Sequence, residues 1–485
     1  MKNMKINILL PYKEKFDENK ASSVSITVRN TGLNDITSDT AYVSYYRGSE
    51  TPTVDSIHLS NLLKGQDTTF TFTTKLSVSA DTSFMFCTAI DSGIVGDPDS
   101  DDEMCFTPCV GASGTYSIDP SGSGDFKTFA AAITSLNGCG VAGNVTFEVE
   151  PGTYNEQLEI YAISGAGEDA RISFVNAGSG EVKITNSGSN NTNWITVLMD
   201  GADYCSFNGI NFEAKGTSYG CAMFLINGAD HNTFENCTFS SNQTTGYYNQ
   251  ALILGGNKTN YYTGGNSGNY NIFENNTFSG GGYYGVIIRG TNTSNTIVGN
   301  EFWNNTFEGA YYYPLYSYYS GNMKIVGNTL SPRTSGTYST SANGMYLYYG
   351  KSDSIATNHI SSPRNAIYLY YQNYYGSTAD TGYVVNNMII GGTYTSANAV
   401  YMRYADRVYT VGNSILSNSS YNSSAYAALE FDYCDNNFVY NNSVSRPNGG
   451  YAVSFNYGTS PTADHNNYYA PSATLFINAN GGNYS

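Results

Sequence analysis

The stretch "NIFENNTF", Asn271–Phe278, decides the fold of this chain, because the chain keeps rewriting it. It returns as "NTIVGNEF", "MKIVGNTL" and "NFVYNNSV", with an asparagine held while its neighbours change. Alignment of these phrases gives one column of Asn276, Asn300, Asn328, Asn358, Asn387, Asn413, Asn442 and Asn467, with successive members 24 to 30 residues apart. A fixed period in that range is the signature of a solenoid. β-Branched and aromatic alternation with Gly-Asn turns excludes a helical repeat, and the signatures of propeller blades and leucine-rich repeats are absent. A parallel β-helix remains, in which each coil stacks its short strands on the next about 4.8 Å away. Each corner then needs a residue in the left-handed conformation, which Asn tolerates, and stacked amides can hydrogen-bond along the axis. Flanking apolar residues such as Phe273, Phe278, Ile325 and Leu330 are expected to point into the coil.

The opening of this region reads "GDFKTFAAAI", followed by "VTFEVEPGTYNEQLEI". Phe126, Phe129, Ala130 and Ile133 fall at helical spacing, with Asp125 as N-cap and Gly138 past the end. A helix over about 125–137 is expected there, covering the first coil against edge pairing. On these segments, residues 114–485 resemble the right-handed parallel β-helix repeat domains, pectate-lyase-like and NosD-type, of bacterial surface proteins. The resemblance implies an all-β solenoid over that range.

Before it, residues 21–110 alternate with period 2 in "SSVSITVRNTG", "TAYVSYYRGSE", "TTFTFTTKL" and "SFMFCTAID", the pattern of an Ig-like β-sandwich. In "VRNTGLNDITS" and "GDPDSDDEMC" this segment resembles the CARDB-type adhesion modules of bacterial surface proteins. Cys87 and Cys105, on its last two strands, are expected to form a disulfide. The acidic run Asp97, Asp99, Asp101, Asp102 and Glu103 invites calcium. It fails the EF-hand pattern, with Asp102 where the loop glycine belongs and Pro108 where the bidentate Glu belongs, so a solvated turn is expected. Residues 1–20 form an atypical leader: "MKNMKINILLPYKEKF" has an apolar core too short for a secretory signal. Its run "KINILLPYKEKFDENK" resembles the start of a bacterial glycosyltransferase family. No nucleotide-sugar domain follows, so a start joined from elsewhere is expected, with no export signal in view.

Composition narrows the partners. Of 485 residues only 13% are charged, yet the net charge is −17, which excludes nucleic acid as a partner because phosphate binding needs clustered Lys and Arg. No run approaches the length of a membrane span. Eight cysteines and four histidines show neither a CxxC pair nor a mixed cluster, so no metal cofactor is expected. Abundant Gly (51) and Tyr (45) suit strands and turns on an uncharged, water-facing surface of an extracellular or surface-displayed protein.

The segments "PLYSYY", "GMYLYY", "AIYLYY", "AVYMRY", "ALEFDY" and "AVSFNY" align without gaps. Leu315, Met345, Ile367, Val400, Leu429 and Val453 share one core position, and Leu347, Leu369, Met402, Phe431 and Phe455 another. The opposite parity should face solvent, with Tyr316, Tyr346, Tyr368 and Tyr401 in one file and Tyr318, Tyr348, Tyr370 and Arg403 in the next. A further file, Tyr319, Tyr349, Tyr371, Tyr404, Tyr433 and Tyr457, has inward or corner parity and is expected to be packing. The seven outward tyrosines could stack against sugar rings or a protein, or simply cover the wall and support strand pairing.

One coil on, the outward files carry Glu430 and Asp432, with Cα atoms expected roughly 6.5 Å apart. Two carboxylates beside an aromatic platform are the minimum for a glycosidase, and Arg403 near a base could serve a lyase. A cross-coil salt bridge of little energetic value is the plainer reading, because any two outward acids at i, i+2 look like this. Pectin-methylesterase, polygalacturonase, Ser-His and P-loop patterns are absent. Asp203, Asp230, Asp353, Asp380, Asp406 and Asp435 precede strands, where Asp forms turns. The sequence therefore points to a polysaccharide-binding or adhesive module, capable of self-association. A polysaccharide lyase, glycoside hydrolase or tailspike-like depolymerase is the alternative.

Overall fold

In the computed structural model the described residues are 4–7, 15–17, 21–77, 85–92, 103–107, 109–242, 250–256, 265–335, 339–392, 397–419, 426–459, 461–471, 477–479 and 482–484. They form two compact units. The acidic turn 97–102 lies outside the described residues.

The first unit holds the β-sandwich. Its larger sheet orders Thr53–Leu62, Ile36–Arg47, Phe86–Ser92 and Glu103–Phe106, and its smaller one Met4–Asn7, Ser25–Asn30 and Asp67–Thr71. All pairings within these two sheets are antiparallel. Period-2 alternation does what it should: Val24, Ile26 and Val28 of one face meet Ala41, Val43, Tyr45, Ile57 and Phe86 of the other. Met4–Asn7, in the segment read as a leader, pairs with Asn30 through Thr27 as a strand of the smaller sheet. Cys87 lies opposite Cys105 in the ladder, and a disulfide joins them across 4.1 Å between Cα atoms. Cys139 is also disulfide-bonded.

The second unit is a parallel β-helix. Three sheets of parallel strands run along it, and each coil contributes one strand to each sheet. Within this unit the first sheet runs from Ile172–Asn176 to Thr462–Asp464 and the second from Gly152–Asn155 to Asn467–Tyr469. The third runs from Leu158–Tyr161 to Ile477–Ala479. Inside, identical residues stack coil on coil. Phe174, Phe207, Phe234, Phe273 and Phe302 form one ring ladder, with centroids 4.8 to 5.7 Å apart. Phe212, Phe239, Phe278 and Phe307 form a second at 4.6 to 5.0 Å. Every one of these rings is buried, so each is worth roughly 1.5–3 kcal/mol of transfer free energy.

The helix runs Phe129–Cys139 and starts later than the sequence suggests. Asp125 does not cap it, because its carboxylate accepts from the Ser117 amide and hydroxyl at 2.7 and 2.8 Å. The first helical amides are taken instead by the Thr128 hydroxyl and by Glu156, whose two oxygens accept from Phe129 and Ala130.

The asparagine column is a buried ladder with two substitutions in its expected membership. The Nδ2 of Asn276 donates to Oδ1 of Asn305 at 3.0 Å, and the same bond continues through Asn328, Asn358, Asn387, Asn413, Asn442 and Asn466 at 2.9 to 3.0 Å. Asn300 belongs to another corner, in file with Asn271 and Asn232. Asn467 is exposed, one residue past the ladder. Nor are the ladder asparagines the left-handed residues. Positive φ falls on the residue before each one: Asn275, Asn304, Gly327, Thr357, Asn386, Gly412, Asn441 and His465. The ladder amides satisfy the backbone that this turn exposes, since each Nδ2 also reaches a carbonyl of the preceding coil, as Asn358 does to Ile325 at 2.8 Å.

Candidate functional site

The outer face of the third sheet carries the tyrosines. The strands Tyr313–Gly321, Met345–Lys351, Ile367–Tyr370, Val400–Arg403 and Ala427–Asp432 are consecutive neighbours there. Their register places Tyr316, Tyr346, Tyr368, Tyr401 and Glu430 in one file, and Tyr318, Tyr348, Tyr370, Arg403 and Asp432 in the next. Both files match the gapless alignment, and their core partners, from Leu315 to Val453, are buried.

Apart from Tyr316, which meets Tyr346 edge-on at 5.1 Å, the rings of each file lie on one another. Tyr346 and Tyr368 are 4.4 Å apart with planes 7° from parallel, and Tyr368 and Tyr401 are 4.9 Å apart. Tyr318, Tyr348 and Tyr370 follow at 4.7 and 5.0 Å. Arginines bound the second file: Arg289 sits 5.0 Å from the Tyr318 centroid and Arg403 sits 5.7 Å from that of Tyr370. Such a contact is worth about 0.5–1 kcal/mol at an exposed site and about 2 kcal/mol where the cation is desolvated, as the buried Arg289 is.

The third file takes the corner placement of the two its parity allows, and its rings are not inward packing. Tyr319, Tyr349, Tyr371, Tyr404, Tyr433 and Tyr457 all have φ between 49° and 58°. A left-handed residue turns its side chain back to the face of the residue before it, so these rings join the outer wall. They stack continuously at 4.7 to 5.0 Å, and Tyr457 at the far end is 66% exposed. Each tier is thereby widened into a pair: Tyr318 with Tyr319 at 4.1 Å, and Tyr348 with Tyr349 and Tyr370 with Tyr371 at 4.4 Å. Tyr374 and Tyr375, exposed in the following loop, lean on Tyr371 at 5.4 and 5.6 Å.

The tyrosines occupy a window. Upstream the first file continues as Leu198, Phe224, Leu254 and Ile287, all buried, with Trp194 packed on Phe224 at 5.8 Å. Downstream it closes at Glu430, which is 5% exposed. Where the wall is covered the chain uses aliphatic residues and phenylalanine, and where it is half-exposed it uses tyrosine, whose body is apolar and whose tip is polar. Burial, reinforced by neighbouring phenols, pushes the hydroxyls of Tyr316, Tyr346, Tyr348 and Tyr368 upward, Tyr368 to about 12, so these phenols are uncharged.

Glu430 and Asp432 do not form an open carboxylate pair. Glu430 is buried and accepts from the Ala427 amide and Asn456 at 3.3 Å each. Burial raises it to about 7, and the charge of fully buried Arg446 opposes that rise. Asp432 is held by Arg403 Nε at 3.3 Å and by the Tyr401 hydroxyl at 3.1 Å. Its carboxyl is nonetheless raised, because desolvation outweighs these two partners. A raised acid is suited to proton donation, but Glu430 lacks the solvent access a glycosidic oxygen would need.

The aspartates read as turn formers take corner amides: Asp203 that of Asp230, Asp230 that of Asn269, Asp353 that of Met323 and Asp406 that of Asp435. His231 stacks between Tyr204 and Tyr270 at 4.7 and 4.9 Å. Among the described residues, the grouping of metal-ligand type is Cys87, Glu103 and Cys105, and its sulfurs are bonded to each other. No described helix is long and apolar enough to cross a membrane.

No protein-family model matches the sequence, and no curated protein matches it. Solved structures resemble the fold at low identity. PfbA, a surface adhesin of Streptococcus pneumoniae, is 13% identical over 72% of this chain and 87% of its own, with a TM-score of 0.38. Pectin methylesterase PemA from Erwinia chrysanthemi is 12% identical over 60% and 93%, at 0.35. A mutant DFA-IIIase from Arthrobacter chlorophenolicus A6, in complex with DFA-III, is 10% identical over 72% and 88%, at 0.43. These likenesses concern the fold alone and assign no activity.

Proposed function

We propose that this chain is an extracellular or surface-displayed binding protein whose tyrosine wall docks a polysaccharide. The observation that carries the reading is the window itself: tyrosine occupies the outward files where the wall is open, and Leu, Phe and Ile occupy one of them where it is covered. Wall covering alone would not require that change of residue. The Cys87–Cys105 disulfide supports an oxidising compartment. An uncharged wall on a chain of net charge −17 favours an uncharged glycan over a polyanion.

The test is binding of the full chain and of its Tyr346→Ala/Tyr368→Ala/Tyr401→Ala variant to a panel of cell-wall and capsular polysaccharides. Loss of binding by a variant with unchanged circular dichroism supports the reading. Equal binding by both proteins reduces the tyrosines to wall covering.

A further inference from the structure

The recognition chemistry follows from how the rings are laid. A free aromatic face is what a sugar ring stacks on, yet the faces in this wall are occupied. Tyr348 has near-parallel neighbours at 4.7 Å (Tyr318), 5.0 Å (Tyr370) and 4.4 Å (Tyr349), with interplanar angles of 5° to 21°. Tyr346 is stacked on Tyr368 at 4.4 Å and meets the edge of Tyr316 at 5.1 Å. Centroids this close with parallel planes place each ring face against the next ring. What such a file can offer outward is ring edges and hydroxyls, repeated once per coil.

Resting on the binding reading above, we infer that the wall recognises a neutral, polyhydroxylated polymer through rows of phenol hydroxyls presented edge-on. The polymer lies parallel to the solenoid axis. Each phenol carries one donor and two acceptor sites, which matches a sugar hydroxyl in both roles. The pairs Tyr348–Tyr349 and Tyr370–Tyr371 set two hydroxyl-bearing rings side by side in each tier, and within each pair one phenol donates to the other, Tyr348 to Tyr349 and Tyr371 to Tyr370, which leaves one donor per tier for a ligand. At the far end the row changes character, because the Tyr401 hydroxyl is spent on Asp432 and Arg403 is bound to the same carboxylate. The rows of hydroxyls not committed to a carboxylate therefore end before Tyr401.

The Tyr→Phe exchange separates this inference from the broader reading. A quadruple Tyr346→Phe/Tyr348→Phe/Tyr368→Phe/Tyr370→Phe variant keeps every ring stack and removes four hydroxyls, and the quadruple Ala variant removes both. The probes are a neutral glucan, mannan and galactan, each as polymer and as short oligomer. With a net contribution of one hydrogen bond per hydroxyl, the Phe variant is expected to bind about tenfold or more weakly, close to the loss in the Ala variant. A Phe variant that binds like wild type while the Ala variant does not overturns hydroxyl recognition and leaves polysaccharide binding standing. Wild-type binding by both, or no binding of any probe by the wild type, overturns the binding reading as well. Should the Ala variant fail to fold, the Phe variant alone decides: undiminished binding refutes the inference and weakened binding supports it.

Discussion

Tyr348 and Tyr349 are consecutive in sequence, yet their rings stack 4.4 Å apart on the same face of the sheet. Neighbours on a strand point to opposite faces, and only the left-handed backbone of Tyr349, at φ 55°, brings the second ring round. An L-residue in that conformation costs roughly 1–2 kcal/mol. The cost recurs at six successive corners, and the five ring contacts between them, worth about 0.5–1.5 kcal/mol each, offset it.

This relationship predicts an unusual order of substitutions at Tyr371. Replacement by Asn accepts the left-handed backbone and loses the ring contacts with Tyr349 and Tyr404, worth about 0.5–1.5 kcal/mol each. Replacement by Val loses the same contacts and adds backbone strain, for about 1–2 kcal/mol more. Urea denaturation should rank wild type above Tyr371→Asn and that above Tyr371→Val. Equal stability of the two variants would contradict the corner geometry.

The ladder predicts a contrast between asparagines that look equivalent in the sequence. Asn358→Ala strands the Asn328 amide and the Ile325 carbonyl in the interior, each at about 1–3 kcal/mol. Asn358→Asp is no remedy, because an oxygen would replace the Nδ2 donor that faces Asn387 Oδ1 and Ile325 O. Asn467→Ala, at an exposed position outside the ladder, should change stability by less than about 0.5 kcal/mol. Thermal unfolding of the three variants checks it, and a large loss in Asn467→Ala would refute the assignment.

Much of this architecture is legible in the sequence, and the misses have physical causes. The tyrosine files can be placed in register because the segments align without gaps and strand parity is strict. The repeat pattern puts Asn300 in the wrong column because Asn300 and Asn305 serve two corners five residues apart, and either satisfies it. The φ of Tyr349 or Tyr371 leaves no mark in a sequence, so parity leaves those rings inward or at a corner and does not show that they join the outer wall. Glu430 looks open in the sequence because it has outward parity and continues the file of Tyr401. Of its partners only Ala427 lies nearby on its own strand; Asn456 and the charge of Arg446 come from outside it.

Two buried acids make stability fall as the solution turns neutral. Asp353 and Glu430 are both raised to about 7 by burial, from 3.8 and 4.5. Between about pH 4 and pH 7 the folded chain keeps these protons while the unfolded chain has released them. The unfolded state then binds fewer protons, so stability drops as pH rises through that window. Carboxylates held down, such as Asp125 by Ser117, act in the opposite sense at lower pH. Asp353→Asn keeps an oxygen for the Met323 amide, and Glu430→Gln keeps one for Ala427. Each should flatten the decline and raise the melting temperature at pH 7 by a few degrees. Glu430→Gln should leave polysaccharide binding unchanged. A fully retained pH slope in the double variant would show that neither acid is responsible.

The last prediction concerns salt. The wall presents phenols that stay protonated, Arg403 is matched by Asp432 at 3.3 Å, and Arg289 is buried. Binding of a neutral polysaccharide should therefore be nearly independent of ionic strength, because no ion pair between protein and ligand is there to be screened. A polyanionic glycan meets the field of a chain with net charge −17 and should bind poorly at low salt, improving as screening shortens the range of repulsion. Titrations of one neutral and one acidic polymer at low and physiological ionic strength distinguish the two behaviours. Binding of the acidic polymer that is tightest at low salt would mean that a cationic surface elsewhere on the chain, and not the tyrosine wall, makes the contact. In that case Tyr348→Phe and Tyr370→Phe would leave the affinity untouched, and the search for the site would move to the arginines.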